Sequence, residues 1–107
     1  CGWAGDKNRI EVWKNYPAKA VNWAVYVENL SLADGKRFFK GRCVLGGFDN
    51  TKSGVLYSGT KDEIKAETKK LIDEAGKTGV IVGADCTVPA DIAHERFGWV
   101  KEALLEI

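Results

Sequence analysis

The side chains here that are equipped for chemistry fall at the ends of apolar runs. In Gly79-Val80-Ile81-Val82-Gly83-Ala84-Asp85-Cys86-Thr87-Val88-Pro89 a β-branched stretch stops at a carboxylate and a thiol. In Cys43-Val44-Leu45-Gly46-Gly47-Phe48 the run stops at Asp49 and Asn50. Another thiol, Cys1, stands just before Gly2. Thiolates are soft ligands suited to zinc, and a catalytic zinc takes about three protein ligands with one position left open. Cys1 and Cys86 supply two such donors, and from spacing alone a small apolar residue filling a gap describes either of them as well. Asp49 and Asp85 have the chemistry of a further ligand, of a group that orients a ligand, or of a base; capping of local backbone suits each equally. Gly46 and Gly47 leave space for a bound group to approach the backbone just ahead of Asp49. Cys43 begins its run, away from this chemistry, and reads as a buried core thiol.

The elements that must position these groups follow from periodicity and caps. Asp6 can cap a helix over about 7–16 with Ile10, Trp13 and Val12 turned inward, and Pro17 closes it. Val21, Trp23, Val25 and Val27 alternate, which predicts a strand over 20–27. Ser31 and Asp34 resemble a capping box ahead of a helix over 32–40, and Gly41 can end it. The run 43–48 is a second strand, and 51–59 is a connection whose Val55, Leu56 and Tyr57 fold back as a short irregular or extended piece. Thr60-Lys61-Asp62-Glu63 is a full capping box, and Ile64, Thr68, Leu71, Ile72 and Ala75 keep helical spacing as far as Gly76. Val80, Ile81 and Val82, unbroken by polar residues, predict a strand buried on both faces. Asp91 then caps a last helix with Ala93, Phe97, Val100, Leu104 and Ile107 inward. Strands separated by helical crossovers predict an α/β fold with a parallel sheet, and Asp49, Asp85 and Cys86 at strand carboxyl ends occupy the rim where such sheets carry function.

Length and charge narrow the classes further. At 107 residues the chain forms one domain, and 16 basic against 15 acidic residues leave a net charge of +1, too small a field to favour nucleic acid or an anionic membrane. No apolar run reaches the ~20 residues of a membrane span, and the opening lacks the pattern of a signal peptide, so a cytoplasmic location is expected. Three cysteines, an odd and widely spaced set, indicate reduced thiols. With no Met and Cys1 at the start, the chain reads as a piece of something longer.

Four segments carry a resemblance over nearly the whole chain: Cys1-Gly2, Gly46-Gly47-Phe48-Asp49-Asn50, the run from Gly54 to Glu63, and Gly83-Ala84-Asp85-Cys86-Thr87-Val88-Pro89. Together they resemble the C-terminal part of the uroporphyrinogen decarboxylase superfamily. The resemblance implies about three and a half βα units of a TIM (β/α)8 barrel, residues 1–107 forming a single fragment of that domain. The superfamily joins decarboxylases, which convert uroporphyrinogen III to coproporphyrinogen III in haem biosynthesis, and corrinoid-dependent methyltransferases, which pass a methyl group between a cobamide and a thiol. In the methyltransferases zinc is held by a His-x-Cys-Gly segment and a later Cys, matched here by Cys1-Gly2 and Cys86. Decarboxylases usually carry Gly-His-Gly at the last strand's end, where this chain has Asp85-Cys86-Thr87. The resemblance therefore implies zinc-dependent methyl transfer involving a corrinoid, with a corrinoid protein or a tetrapyrrole as partner. Asp49 and Asp85 would be the catalytic carboxylates, and Gly46, Gly47 and Trp23 would line the cofactor; Trp3 and Trp23, near the rim, can stack on a flat macrocycle. Porphyrinogen decarboxylation and a non-catalytic tetrapyrrole- or corrinoid-binding module are the alternative implications.

Helices cover only the outside of such a partial barrel, so its inner face and strand edges lack partners, and burying apolar surface is worth ~25 cal/mol per Å². Self-association is expected, most simply a two-fold dimer; a terminal helix swung across the bare face is the monomeric alternative. Light scattering at micromolar concentration should give about twice the 11.7 kDa monomer mass. A monomer mass, with an unfolding midpoint independent of concentration, would exclude the dimer.

Overall fold

The computed structural model describes residues 9–107. Its elements in chain order are α1 (Ile10–Trp13), β1 (Ala20–Asn22), α2 (Val25–Glu28), α3 (Leu32–Phe38), β2 (Cys43–Phe48), α4 (Val55–Ser58), α5 (Lys61–Ala75), β3 (Val80–Ala84) and α6 (Glu95–Leu105). The strands form an all-parallel open sheet in the order β1-β2-β3. Parallel neighbours need crossovers, supplied by α2 and α3 between β1 and β2 and by α4 and α5 between β2 and β3. Because the strand order follows the chain without reversing, right-handed crossovers place the connecting helices on the same side. Accordingly α3 packs on β2, α5 packs on β3, and α5 also meets α3, α4 and α6 in one layer.

Register separates the two faces. Val21, Val44 and Val80 form one row, with Val44 fully buried against the helices. The next row, Asn22, Leu45 and Ile81, faces away from them, and Ile81 is 50% exposed. This corrects the expectation that 80–82 is buried on both faces. The described helices pack on the face that carries Val44, so a run with no polar residue still has an exposed side. Among the described residues, α6 packs on α5, and α1 has no buried residue.

The core sits between sheet and helices and includes Trp23, Leu32, Phe39, Val44, Phe48, Leu56, Ile64 and Leu71. Burial of each such side chain stabilises the fold by roughly 1.5–3 kcal/mol before entropy is counted. In α5 the capping box closes as the sequence predicts: Glu63 N–H donates to Thr60 Oγ1 (3.2 Å), and Thr60 N–H donates to Glu63 Oε1 (3.3 Å). Ile64, Thr68, Leu71 and Ala75 are its buried face. Its other end is held by Lys36, whose ammonium donates to the carbonyls of Ala75 and Thr78.

Four segments depart from expectation. The first helix is a single turn, with Trp13 half exposed; residues 7 and 8 and the capping Asp6 lie outside the described residues. The strand over 20–27 ends at Asn22, after which Trp23 and Ala24 turn into the core and Val25–Glu28 is helical. The connection over 51–59 contains a helical turn, Val55–Ser58, that buries Leu56. The last helix starts at Glu95 because the Asp91 carboxylate is held elsewhere, by Tyr57 (3.0 Å) and Lys52 (3.5 Å). Its inward face is Trp99, Val100 and Ala103, while Phe97, Leu104 and Ile107 are exposed. Along the same contact Lys61 and Lys65 on α5 pair with Glu102, and Lys65 pairs with Glu106.

Two glycines inside helices should respond oppositely to substitution. A Cβ at Gly35 in α3 would sit 2.1 Å from Cη2 of the buried Trp23, whereas one at Gly98 in α6 would meet nothing within 4 Å. Gly35→Ala should therefore destabilise the protein by roughly 1–3 kcal/mol. Gly98→Ala should stabilise it by up to about 1 kcal/mol. Urea unfolding of both variants checks the pair.

Candidate functional site

The carboxyl end of the sheet is assembled from three connections: the turn from β1 into α2, residues 49–54 after β2, and residues 85–94 after β3. Asp85 is the first residue past β3 and is 2% exposed. Its backbone N–H donates to Phe48 O (2.8 Å). Its carboxylate accepts from Gly47 N–H through Oδ1 (2.8 Å) and from Val25 N–H through Oδ2 (3.1 Å). One side chain thus ties β3 to β2 and to the start of α2, where it occupies the place of an N-cap acceptor. Burial pushes the Asp85 carboxyl up to about 6; the Gly47 and Val25 N–H groups oppose this, and nearby Asp49 adds to it.

The neighbouring groups are tied as well. Asp49 is half-buried, and its Oδ1 accepts from Thr51 N–H (2.9 Å), a local turn bond. Asn50 Nδ2 donates to Thr87 O (3.0 Å), joining the loops after β2 and β3. Tyr26 donates to Glu67 (3.2 Å); burial, with Glu67, Asp85 and Asp49 nearby, pushes its phenol up to about 12, so it stays protonated at neutral pH. Asp91 is held below the ordinary carboxylate range by the Tyr57 hydroxyl and Lys52.

The glycines expected beside a cofactor are filled by the chain itself. Gly46 (φ +140°) leaves just enough room for Asp85, since a Cβ there would lie 2.9 Å from Oδ1 and 3.3 Å from Asn22 Nδ2. Gly47 (φ +113°) sits under Leu71 and Leu32, at 2.8 and 3.2 Å from the same imagined atom. Trp23 is 4% exposed; its Nε1–H donates to Leu30 O (2.8 Å) and its ring packs on Phe39 at 5.2 Å. Its surroundings are core, although it also lines a cavity of about 250 Å³ with Ile10, Trp13 and Val21 beside the β1 edge.

Cys86 follows Asp85 on the rim, half-buried, and its thiol makes no hydrogen bond among the described residues. Cys1, its expected partner in holding metal, lies outside the described residues. Cys43 starts β2 at the opposite end and is half-buried, not the fully buried thiol expected. Among the described residues no group of three or more His, Cys, Asp or Glu side chains could hold a metal ion. Asp85 is unsuited as a ligand because it is 2% exposed, with each of its oxygens turned to a backbone N–H group. His94 is exposed. An anion at Ser58-Gly59-Thr60 would find the backbone donors taken: Ser58 N–H donates to Gly54 O (3.0 Å), Gly59 N–H to Val55 O (2.8 Å) and Thr60 N–H to Glu63 Oε1 (3.3 Å).

Sequence reasoning brought Asp49, Asp85 and Cys86 to one rim and missed what holds them there. The Val25 N–H has no signal of its own, and Asn50 was visible only as a neighbour of Asp49. In comparison with known proteins, no family model and no curated protein matches the chain. No helix among the described residues is long and apolar enough to cross a membrane.

Two measurements test the role of Asp85. Asp85→Ala leaves two N–H groups without partners and should cost roughly 2–4 kcal/mol in urea unfolding. With a folded pKa of about 6 against an ordinary 3.8, the folded state keeps a proton that the unfolded chain has released. This contribution is full below about pH 3.8 and is lost as pH rises through about 6. Stability of the protein relative to Asp85→Asn should therefore fall across that window, and an equal pH profile for the two would contradict the assignment.

Proposed function

We propose that the chain is the C-terminal part of a TIM-barrel enzyme of the uroporphyrinogen decarboxylase superfamily, in the branch that transfers methyl groups between a corrinoid and a thiol with the help of zinc. The observation that carries the reading is the meeting of Asp49, Asp85 and Cys86 at the carboxyl end of an all-parallel sheet numbered in chain order, with its helices on one side. Barrel enzymes keep their chemistry on that rim. Charge supports the choice of branch. The described loops after β2 and β3 hold Asp49, Asp85 and Asp91 against Lys52, itself paired with Asp91. Such a rim is a poor receptor for a porphyrinogen bearing many carboxylates and tolerates a corrinoid, whose side chains are largely amides.

In this reading Cys86 and Cys1 are zinc ligands. Zinc, when bound, stabilises a thiolate at neutral pH. The available thiol of Cys86 fits that role. Asp85 fixes the strand end ahead of it without touching substrate, and Asp49 shapes the loop behind it through Thr51. With half of a barrel rim absent, nothing in these residues excludes water or orients a methyl donor, so the 107 residues alone should have no turnover.

Cobalt(II), a spectroscopic stand-in for zinc, should give the chain a thiolate charge-transfer band that Cys86→Ser and Cys1→Ser each diminish, with no methyl transfer from methylcobalamin to a thiol. Absence of the band, its survival in both variants, or multiple turnover by the chain alone would overturn the reading. Release of carbon dioxide from uroporphyrinogen by a longer protein carrying this sequence, without bound zinc, would reverse the order of the two branches.

A further inference from the structure

We propose that the cavity beside β1 is a binding site for a small planar aromatic carboxylate, its ring held among aromatic side chains and its charge met by Lys14 and Lys40. The cavity, about 250 Å³, lies where α1, β1 and the end of α3 meet, and Asp49, Asp85 and Cys86 take no part in its lining. It is therefore independent of the methyl-transfer reading. Two of its walls are firmly held: Trp23 and Phe39 are 4% and 2% exposed, their rings lie 5.2 Å apart, and the Trp23 Nε1–H is tied to Leu30 O. Ile10 and Trp13 come from α1, a single turn with no buried residue, and Trp13 is 50% exposed. A half-exposed indole beside a buried aromatic pair is a surface that a flat apolar ring would cover. Drug-sized ligands fill roughly 300–1,000 Å³, so this space suits one ring or two fused rings.

The charge of the occupant follows from the seam between α1 and α3. Lys14, half-buried, follows Trp13 and holds its ammonium 5.3 Å from the centre of the Phe38 ring. Lys40 follows Phe39 and donates to Asn15 Oδ1 at 3.3 Å. Among the described residues neither ammonium is paired with a carboxylate, and Glu11, the acidic residue of α1, is exposed. Two cations next to lining residues, without a counter-charge, favour an anion and repel a cation. The edge of β1 adds a donor. Cys43 N–H donates to Lys19 O, and in a parallel ladder this turns the N–H groups of Ala20 and Asn22 away from β2. Asn22 is a lining residue, so that edge offers the anion a backbone N–H as well. A peptide added along the same edge would find a strand of only 3 residues, Ala20–Asn22, to pair with, which favours a small molecule.

The test is calorimetric titration of the whole chain with naphthoate at low salt, with naphthamide as its uncharged match. Naphthoate should bind in a single site with a submillimolar Kd, and naphthamide severalfold more weakly; added salt should narrow the gap between them. Trp13→Ala should weaken naphthoate roughly 10-fold while keeping the urea midpoint, because Trp13 is half exposed and α1 buries nothing. Joint replacement Lys14→Gln and Lys40→Gln should bring naphthoate down to the affinity of naphthamide and leave naphthamide itself unchanged. No saturable heat up to millimolar naphthoate, equal binding of the two probes by the unaltered chain, or unchanged naphthoate affinity in folded Trp13→Ala overturns the proposal. If Trp13→Ala does not fold, the lysine variant decides alone: persistence of the preference for naphthoate overturns the proposal, and its loss supports it.

Discussion

Three segments of the chain meet at the Asp85 carboxylate, and the architecture of the sheet's carboxyl end depends on it. Gly47 N–H lies on the central strand, Val25 N–H opens the helical turn after the first strand, and Asp85 itself ends the third. A buried carboxylate is costly unless its lone pairs are met, and here two backbone donors meet them. The arrangement also meets a need of the backbone, because α2 starts at Ala24 with no side-chain cap of its own. Its burial raises the carboxyl pKa, so the interaction is under electrostatic tension at neutral pH while remaining geometrically necessary.

Around this point the rim is laced by bonds between loops. Asn50 to Thr87, Tyr57 to Asp91 and Lys52 to Asp91 all join residues after β2, or the short α4 that follows, to residues after β3. Arg96 extends the lacing from α6 to the carbonyls of Leu56 and Gly59. Most of these groups are exposed, and each contributes little to stability. Their collective effect is on shape: the stretch carrying Asp85 and Cys86 is fixed against β2 from both sides. The face across the sheet is different in kind, since Leu45 is only half-buried there and Ile81 is half exposed.

The misreadings have a common cause. Val21, Trp23, Val25 and Val27 alternate as a strand would, yet the chain turns at Trp23, because a core position beneath Gly35 accepts the indole and Asp85 offers Val25 a helix-starting acceptor. Phe97, Leu104 and Ile107 have helical spacing, but α6 rotates to bring Trp99, Val100 and Ala103 inward and its glutamates onto Lys61 and Lys65. Gly46 and Gly47 were legible as places of close approach; that the approaching groups are Asp85, Leu71 and Leu32 was not.

What the sequence by itself determined is whatever is closed locally. Thr60 and Glu63 cap α5 from three residues apart, Ser31 caps α3 by accepting from Asp34 N–H, and the apolar runs at 43–48 and 80–84 are strands wherever they dock. The helices between them made the sheet parallel, because parallel neighbours require a crossover. Tertiary structure alone decided which strand is central, which face of 80–84 stays bare, where the first strand stops and what the rim carboxylates do. Each of these depends on partners far along the chain, such as Val25 and Asp85, 60 residues apart. No periodicity or capping rule reaches that far, since such pairs are set by the packed geometry that brings them together.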